Sequence, residues 1–261
     1  MLRHALVFLV CNMHISLAAE TLFKIGSFPV TNSIFTSWLV SLVLIILGTV
    51  VGLRYQRLPH GLQQLFELVY GGVEDLAISI SGEKGKKFTP LAVTMFLYII
   101  LSNWLGVIPG VGSVGLKMME QGEQVFVPLV RSGTADLNTT VALALISVIS
   151  TQFLGIRNSG ILRHLKHFLN PMEIISELSK ILSFSFRLFG NVFAGEVLLA
   201  AGASMLILVT GVERPWYGVP GGLIQLPFLL LEILVGFIQA FVFAALTLVF
   251  IGVFTQHEKN H

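Results

Sequence analysis

Charged residues are scarce in this 261-residue chain: Asp, Glu, Lys and Arg together make up 11%. Soluble domains carry about 25%, so this chain lacks the polar coat a water-facing surface needs. Cysteine is scarcer still. Cys11 stands alone, which excludes a disulfide framework and any Cys-built zinc or iron–sulfur site. The net charge of +2 is small and dispersed, and it argues against nucleic acid as a partner. A phosphate-cradling P-loop is absent, because Gly85-Lys86 has Ile80 where that motif requires glycine. Two histidine pairs, His164/His167 and His257/His261, sit at span ends, where basic residues are common, and read as interfacial residues. No cofactor is expected.

Apolar residues, by contrast, make up 54% of the chain. The runs 31–53, 88–116 and 137–156 carry no charge, and each reaches the roughly 20 residues that span a bilayer. The composition predicts an all-α polytopic membrane protein forming a single membrane domain over residues 20–261. About five membrane segments are expected, with one interfacial amphipathic helix. That helix is marked by Leu62, Leu65, Phe66, Val69, Val73 and Leu76 at helical spacing. Residues 1–19 read as a signal peptide: Arg3, an apolar core at Ala5–Val10, and a small-x-small site at Ser16-Leu17-Ala18.

Lys and Arg distribution predicts orientation. Residues 54–87 hold Arg54, Arg57, Lys84, Lys86 and Lys87, and residues 157–171 hold Arg157, Arg163 and Lys166. The connections at 109–136 and 211–221 are poor in both, with only Lys117 and Arg131 in the first and Arg214 in the second. The positive-inside rule then puts the rich segments in the cytoplasm, the mature N-terminus outside and the C-terminus in the cytoplasm.

The C-terminal half does not fit simple perpendicular spans. Between Pro171 and Thr210 there is no second proline to stop a helix. Nearly 40 residues would run about 58 Å, and 222–256 about 50 Å, against a hydrocarbon slab of about 30 Å. Either each segment breaks or the pair (172–256) forms a long, steeply tilted hairpin around a turn at 212–221.

Polar residues in that hairpin carry the chemistry. Arg187 sits mid-segment, where an arginine costs about 2.5–3.5 kcal/mol on insertion scales. It holds its proton permanently, so it can act as a fixed charge but not as a relay. Lys180, Ser183, Arg187 and Asn191 recur at helical spacing, while Glu196 lies on the other side. On the returning segment Glu232 and Gln239 share a face. Counting back from Trp216, an antiparallel hairpin makes two layers. One holds the carboxylates Glu196 and Glu232, nearer the outside; the other holds Arg187, Asn191 and Gln239, near mid-membrane. Arg187 then awaits a carboxylate from elsewhere.

These residues resemble a known family. Leu182-Ser183-Phe184-Ser185-Phe186-Arg187-Leu188-Phe189-Gly190-Asn191 with Ala194-Gly195-Glu196 is similar to the signature of subunit a of the rotary F-type ATP synthases. Residues 239–247, 102–110 and 134–140 resemble further blocks of that family, over about residues 28–258. The resemblance implies a stator subunit of a bacterial plasma membrane complex, not catalytic by itself. Its partners would be the c-ring, peripheral stalk b subunits, the rest of the complex and membrane lipid. Arg187 would face the ring carboxylate between two half-channels. Glu196, Glu232, Asn191 and Gln239 would line the outer half-channel, with Asp136 at its mouth and Ser183 beside the arginine. The cytoplasmic half-channel would lie toward Glu173, Glu177 and Lys180. Many relatives pair a carboxylate with a histidine where this chain has two glutamates. Sodium is the alternative coupling ion to the proton. A stand-alone transporter or a purely structural assembly subunit are the competing classes; copurification with small two-span proteolipids would discriminate against both.

Overall fold

The computed structural model describes residues 19–108, 114–120, 123–160, 171–210 and 219–256. The expected leader (apart from Ala19), both histidine pairs and the centre of the hairpin turn lie outside the described residues. The chain is mostly helical: α1 (Asn32–Leu53), α2 (Leu62–Ser81), α3 (Thr89–Val107), α4 (Leu137–Ser159), α5 (Pro171–Thr210) and α6 (Val219–Gln256). Five helical stretches are long and apolar enough to cross a membrane, α2 and α3 counting as one.

Two short antiparallel hairpins modify the all-α expectation. Strands β1 (Thr21–Ile25) and β2 (Phe28–Thr31) precede α1; β3 (Gly115–Glu120) and β4 (Glu123–Pro128) occupy the connection between α3 and α4. The β-branched and aromatic runs Phe28-Pro29-Val30-Thr31 and Val125-Phe126-Val127 suit a pleated surface. The uncharged run that begins at Phe88 accordingly stops being helical at Val107, well before Leu116.

α1 starts on a Thr31 side-chain cap to the Ile34 amide at 3.3 Å. Its hydroxyls at Thr36, Ser37, Ser41 and Thr49 donate to carbonyls one turn back at 2.7–2.9 Å. Each is thereby satisfied internally, as a hydrocarbon environment demands. Only its first turns are buried, at Asn32, Ser33, Thr36 and Val40; Leu42, Ile45, Ile46 and Leu53 point away from the chain.

α2 is the amphipathic helix of the sequence reading. Leu62, Leu65 and Leu68 are exposed, while Val73 and Ala77 pack into the core beside α3 and α6. Gln63 anchors the preceding loop through both bonds to the Gln56 backbone, at 2.8 and 3.0 Å. A 3₁₀ turn, Gly82–Phe88, folds α2 back toward α3. Only glycine fits at position 85, where a Cβ would stand 2.2 Å from the Ala77 carbonyl oxygen.

α6 is the hub, packing on α2, α3, α4 and α5. Small residues at Gly236, Ala240 and Ala244 let neighbouring helices approach closely, the main source of helix association in lipid. Phe243, Leu248 and Ile251 fill the space toward Phe184 and Leu188 of α5. α5 and α6 are unbroken over 40 and 38 residues, Pro227 included. That settles the choice between broken and continuous helices. They run antiparallel throughout: Phe184 meets Phe243 at 4.8 Å, Asn191 meets Gln239, and Gly195 meets Glu232. α6 already begins at Val219, three residues before the expected start, because the Gly221-Gly222 pair joins the helix instead of the turn.

Candidate ion-path site

Two polar clusters lie along the hairpin. The first faces the chain's interior, and a loop residue dominates it. Arg131, between β4 and a 3₁₀ turn at Gly133–Ala135, reaches Glu196 of α5 with two bonds: Nε to Oε1 at 3.2 Å and Nη2 to Oε2 at 2.8 Å. The guanidinium side chain is 11% exposed and the carboxylate 26%. Burial works against the Arg131 charge, but the hydrogen bonds and charge of Glu196 outweigh it and raise the Arg131 pKa above its ordinary value. The Arg131 amide also donates to Thr36 of α1 at 3.2 Å. The loop is therefore tied to α1 and α5 at once.

Next to it runs a chain of neutral groups. The Ser132 hydroxyl donates to the Ser102 carbonyl at 3.1 Å and lies 2.8 Å from the Thr134 hydroxyl. Thr134 in turn donates to Asn103 Oδ1, and Asn103 Nδ2 donates to the Gly236 carbonyl at 3.3 Å. Trp104 Nε1 caps the Ile233 carbonyl at 3.2 Å. α3, the 131–135 loop and α6 are thus fastened by hydrogen bonds whose loss in hydrocarbon would leave unsatisfied polar groups.

The carboxylate of Glu232 leans against Gly195. A Cβ there would stand 2.7 Å from Glu232 Oε1, so a side chain at 195 would displace the glutamate. Glu232 Oε2 has no hydrogen-bond partner among the described residues. Beside it, a cavity of about 10 Å³ is lined by Asn103, Asn191, Glu232 and Gln239 among others; that volume suits one water. Asn191 donates to Gln239 Oε1 at 2.6 Å. The two layers read from the sequence are therefore present, with one change. Arg187 does not join Asn191 and Gln239, because the helical stripe divides between the inward and outward faces of α5.

The second cluster is that outward face. Arg187 and Ser183 are exposed, with a single 3.2 Å bond from Arg187 Nη2 to Ser183 Oγ. Among the described residues no carboxylate pairs with Arg187. Exposed apolar neighbours flank it: Leu178, Leu182 and Phe186. One permanent cation is thus presented to whatever lies alongside α5, set in an otherwise greasy surface.

The remaining sequence candidates have local partners. Asp136 is buried and caps α4, accepting from the Asn138 amide at 3.0 Å. Lys180 pairs with the buried Glu177 at 2.5 Å and sits 4.8 Å over the Phe250 ring. Glu173 is half-buried one turn before Glu177. Loop-charge reasoning counted Arg131 only as a marker of orientation and did not place it at the site. Its signal was position: a cation five residues before Asp136, inside a connection poor in Lys and Arg.

Helix lengths, internally satisfied hydroxyls and a polar seam between apolar faces together define a polytopic helical membrane protein. Comparison with known proteins narrows this. Residues 34–252 match the model of the family described as ATP synthase A chain. The chain is similar to ATP synthase subunit a of Syntrophobacter fumaroxidans, 36% identical over 89% of this chain and 87% of the relative. It is also similar to subunit a of Citrifermentans bemidjiense, 31% identical over 87% and 88%, and of Geobacter sulfurreducens, 34% identical over 84% and 86%. The chain belongs to the ATP synthase subunit a family.

Proposed function

We propose that this chain translocates protons as the stator of a rotary ATP synthase membrane sector, with Arg187 as the fixed cation between two half-channels. The observation that carries this reading is the placement of Arg187: outward on α5, without a carboxylate partner among the described residues, and set among exposed apolar side chains. Such a charge is stabilised only by an anion brought to it, and in a low-dielectric contact it would favour the ionised form of a visiting carboxylate. A ring of c subunits, each bearing one carboxylate, meets that need. The c-ring would cover the Arg187 face, and stalk b subunits the faces turned from it.

The outer half-channel would run along the inward cluster. Glu196 has both oxygens engaged by Arg131 and acts as a held anion. Glu232, with one oxygen unpartnered beside a water-sized cavity and the Asn191–Gln239 pair, would carry the proton. In this reading residues 54–87 and the C-terminus face the cytoplasm of a bacterial cell, and the mature N-terminus faces outward.

ATP-driven acidification of inverted membrane vesicles tests the assignment. Arg187→Ala, assembled to the level of the native complex, should abolish acidification while the catalytic head still hydrolyses ATP. Full acidification would refute the role of Arg187. Acidification by the native complex in sodium-free buffer separates proton from sodium coupling: it should persist undiminished, and a strict sodium requirement would overturn the proton assignment.

A further inference from the structure

A second cavity shares no lining residue with either polar cluster. It opens between the start of α3 and the end of α4, with a volume of about 620 Å³. Two cations stand at its rim: Lys87, just before α3, and Arg157, in the last turn of α4. Neither side chain makes a hydrogen bond or ion pair with any described residue, whereas Lys86, Arg131 and Lys180 all have carboxylate partners. Among the described residues that line the cleft there is no carboxylate. Below the rim the wall turns apolar, with Leu91 four residues beyond Lys87 and Phe153 and Ile149 four and eight residues back from Arg157 along α4. At 1.5 Å per residue these reach about 6–12 Å beneath the cations. Ile149 and Phe153 are each 62% exposed on the chain's own surface.

Charge at one end and grease below it is the profile of an amphiphile with an anionic head. A free phosphate would neutralise the cations but leave Phe153 and Ile149 uncovered. An apolar helix would cover those residues but leave two cations without counter-charge. Both cations also belong to the Lys/Arg-rich side of the protein, where basic pockets between spans recognise anionic headgroups. We propose that this cleft binds one anionic glycerophospholipid, its phosphate between Lys87 and Arg157 and an acyl chain along Leu91, Ile149 and Phe153.

The test uses the assembled complex in nanodiscs, doped with a photoactivatable phosphatidylglycerol or the matching phosphatidylcholine. Crosslinks are mapped by mass spectrometry. The phosphatidylglycerol probe should label the 149–157 segment about tenfold more than the phosphatidylcholine probe, since each interfacial cation adds to the attraction for an anionic head. K87Q/R157Q should erase that preference, K86Q should keep it, and millimolar inorganic phosphate should leave it intact. Equal labelling by the two probes would reduce the site to ordinary lipid contact and overturn the proposal. Competition by phosphate would assign the cleft to a free anion, and crosslinks to another subunit instead of lipid would assign it to a protein partner; either outcome also overturns it. Where K87Q/R157Q fails to assemble, the comparison of the two probes on the native chain decides alone.

Discussion

Replacing Arg131 by glutamine should harm the protein more than replacing Arg131 and Glu196 together. The pair is bidentate and its guanidinium is almost wholly buried. Removing one member of a fully buried pair costs about 3–5 kcal/mol, because the other charge is left uncompensated. The Glu196 carboxylate keeps about a quarter of its exposure, and solvent reaching it lowers the expected cost to about 2–3 kcal/mol. In Arg131→Gln/Glu196→Gln both sites are neutral and two amides can hydrogen-bond, so the double variant should recover at least about 1 kcal/mol of that loss. The assay is a double-mutant cycle on the detergent-solubilised complex, reading thermal release of this subunit together with ATP-driven acidification of reconstituted vesicles. Arg131→Gln should melt earliest and pump least, and the double variant should lie between it and the native chain on both readouts. Additive effects, with a coupling below about 0.5 kcal/mol, would mean that the two side chains do not act as a pair and would refute this account of the outer cluster.

Two further expectations concern the same seam. Gly195→Ala would place a Cβ 2.7 Å from Glu232 Oε1 and push the glutamate aside; acidification should fall severalfold while assembly, read by copurification, is largely kept, and unchanged pumping would mean that the position of Glu232 is unimportant. Asn191→Leu should cost about 1–2 kcal/mol by stranding Gln239, and Asn191→Leu/Gln239→Leu should cost less than the single change because no partner is left unpaired. Thermal release of the subunit checks both variants.

Much of this arrangement was legible in the amino-acid order. Helical spacing together with a turn near Trp216 was enough to put Glu196 level with Glu232 and Asn191 level with Gln239, because an antiparallel helix pair has one free register and the turn sets it. The lack of a second proline between Pro171 and Thr210 is consistent with one continuous helix of 40 residues, whereas α6 runs unbroken over 38 residues in spite of Pro227, and the sequence left broken and continuous helices as alternatives. What stayed hidden depends on contacts distant in sequence. Arg131 lies 65 residues from Glu196 and shares no periodicity with it. The tie between Asn103 and Gly236 spans 133 residues. The outward turn of Arg187 relative to Asn191 was also out of reach: four residues advance a helix by about 40° beyond a full turn, and only packing against α6 decides which side of that angle is covered. The hairpins β1–β2 and β3–β4 escaped because short amphipathic runs beside long apolar ones leave little periodic trace.

The uneven burial of the helices bears on how the protein is made. The fully buried residues of α1 all lie in its first turns, so most of the helix can leave the translocon for lipid as soon as it is synthesised. α5 is different. It is the least apolar of the five membrane stretches and carries Glu196 as well as Arg187, a charge whose insertion near mid-membrane is penalised by about 2.5–3.5 kcal/mol. Its offsetting partners arrive at different times: Arg131 is already translated, whereas Gln239 and the aromatic wall of α6 emerge only after the following turn. Integration of α5 is therefore favoured once α6 has followed it out of the ribosome, and the last two helices enter the bilayer as one unit.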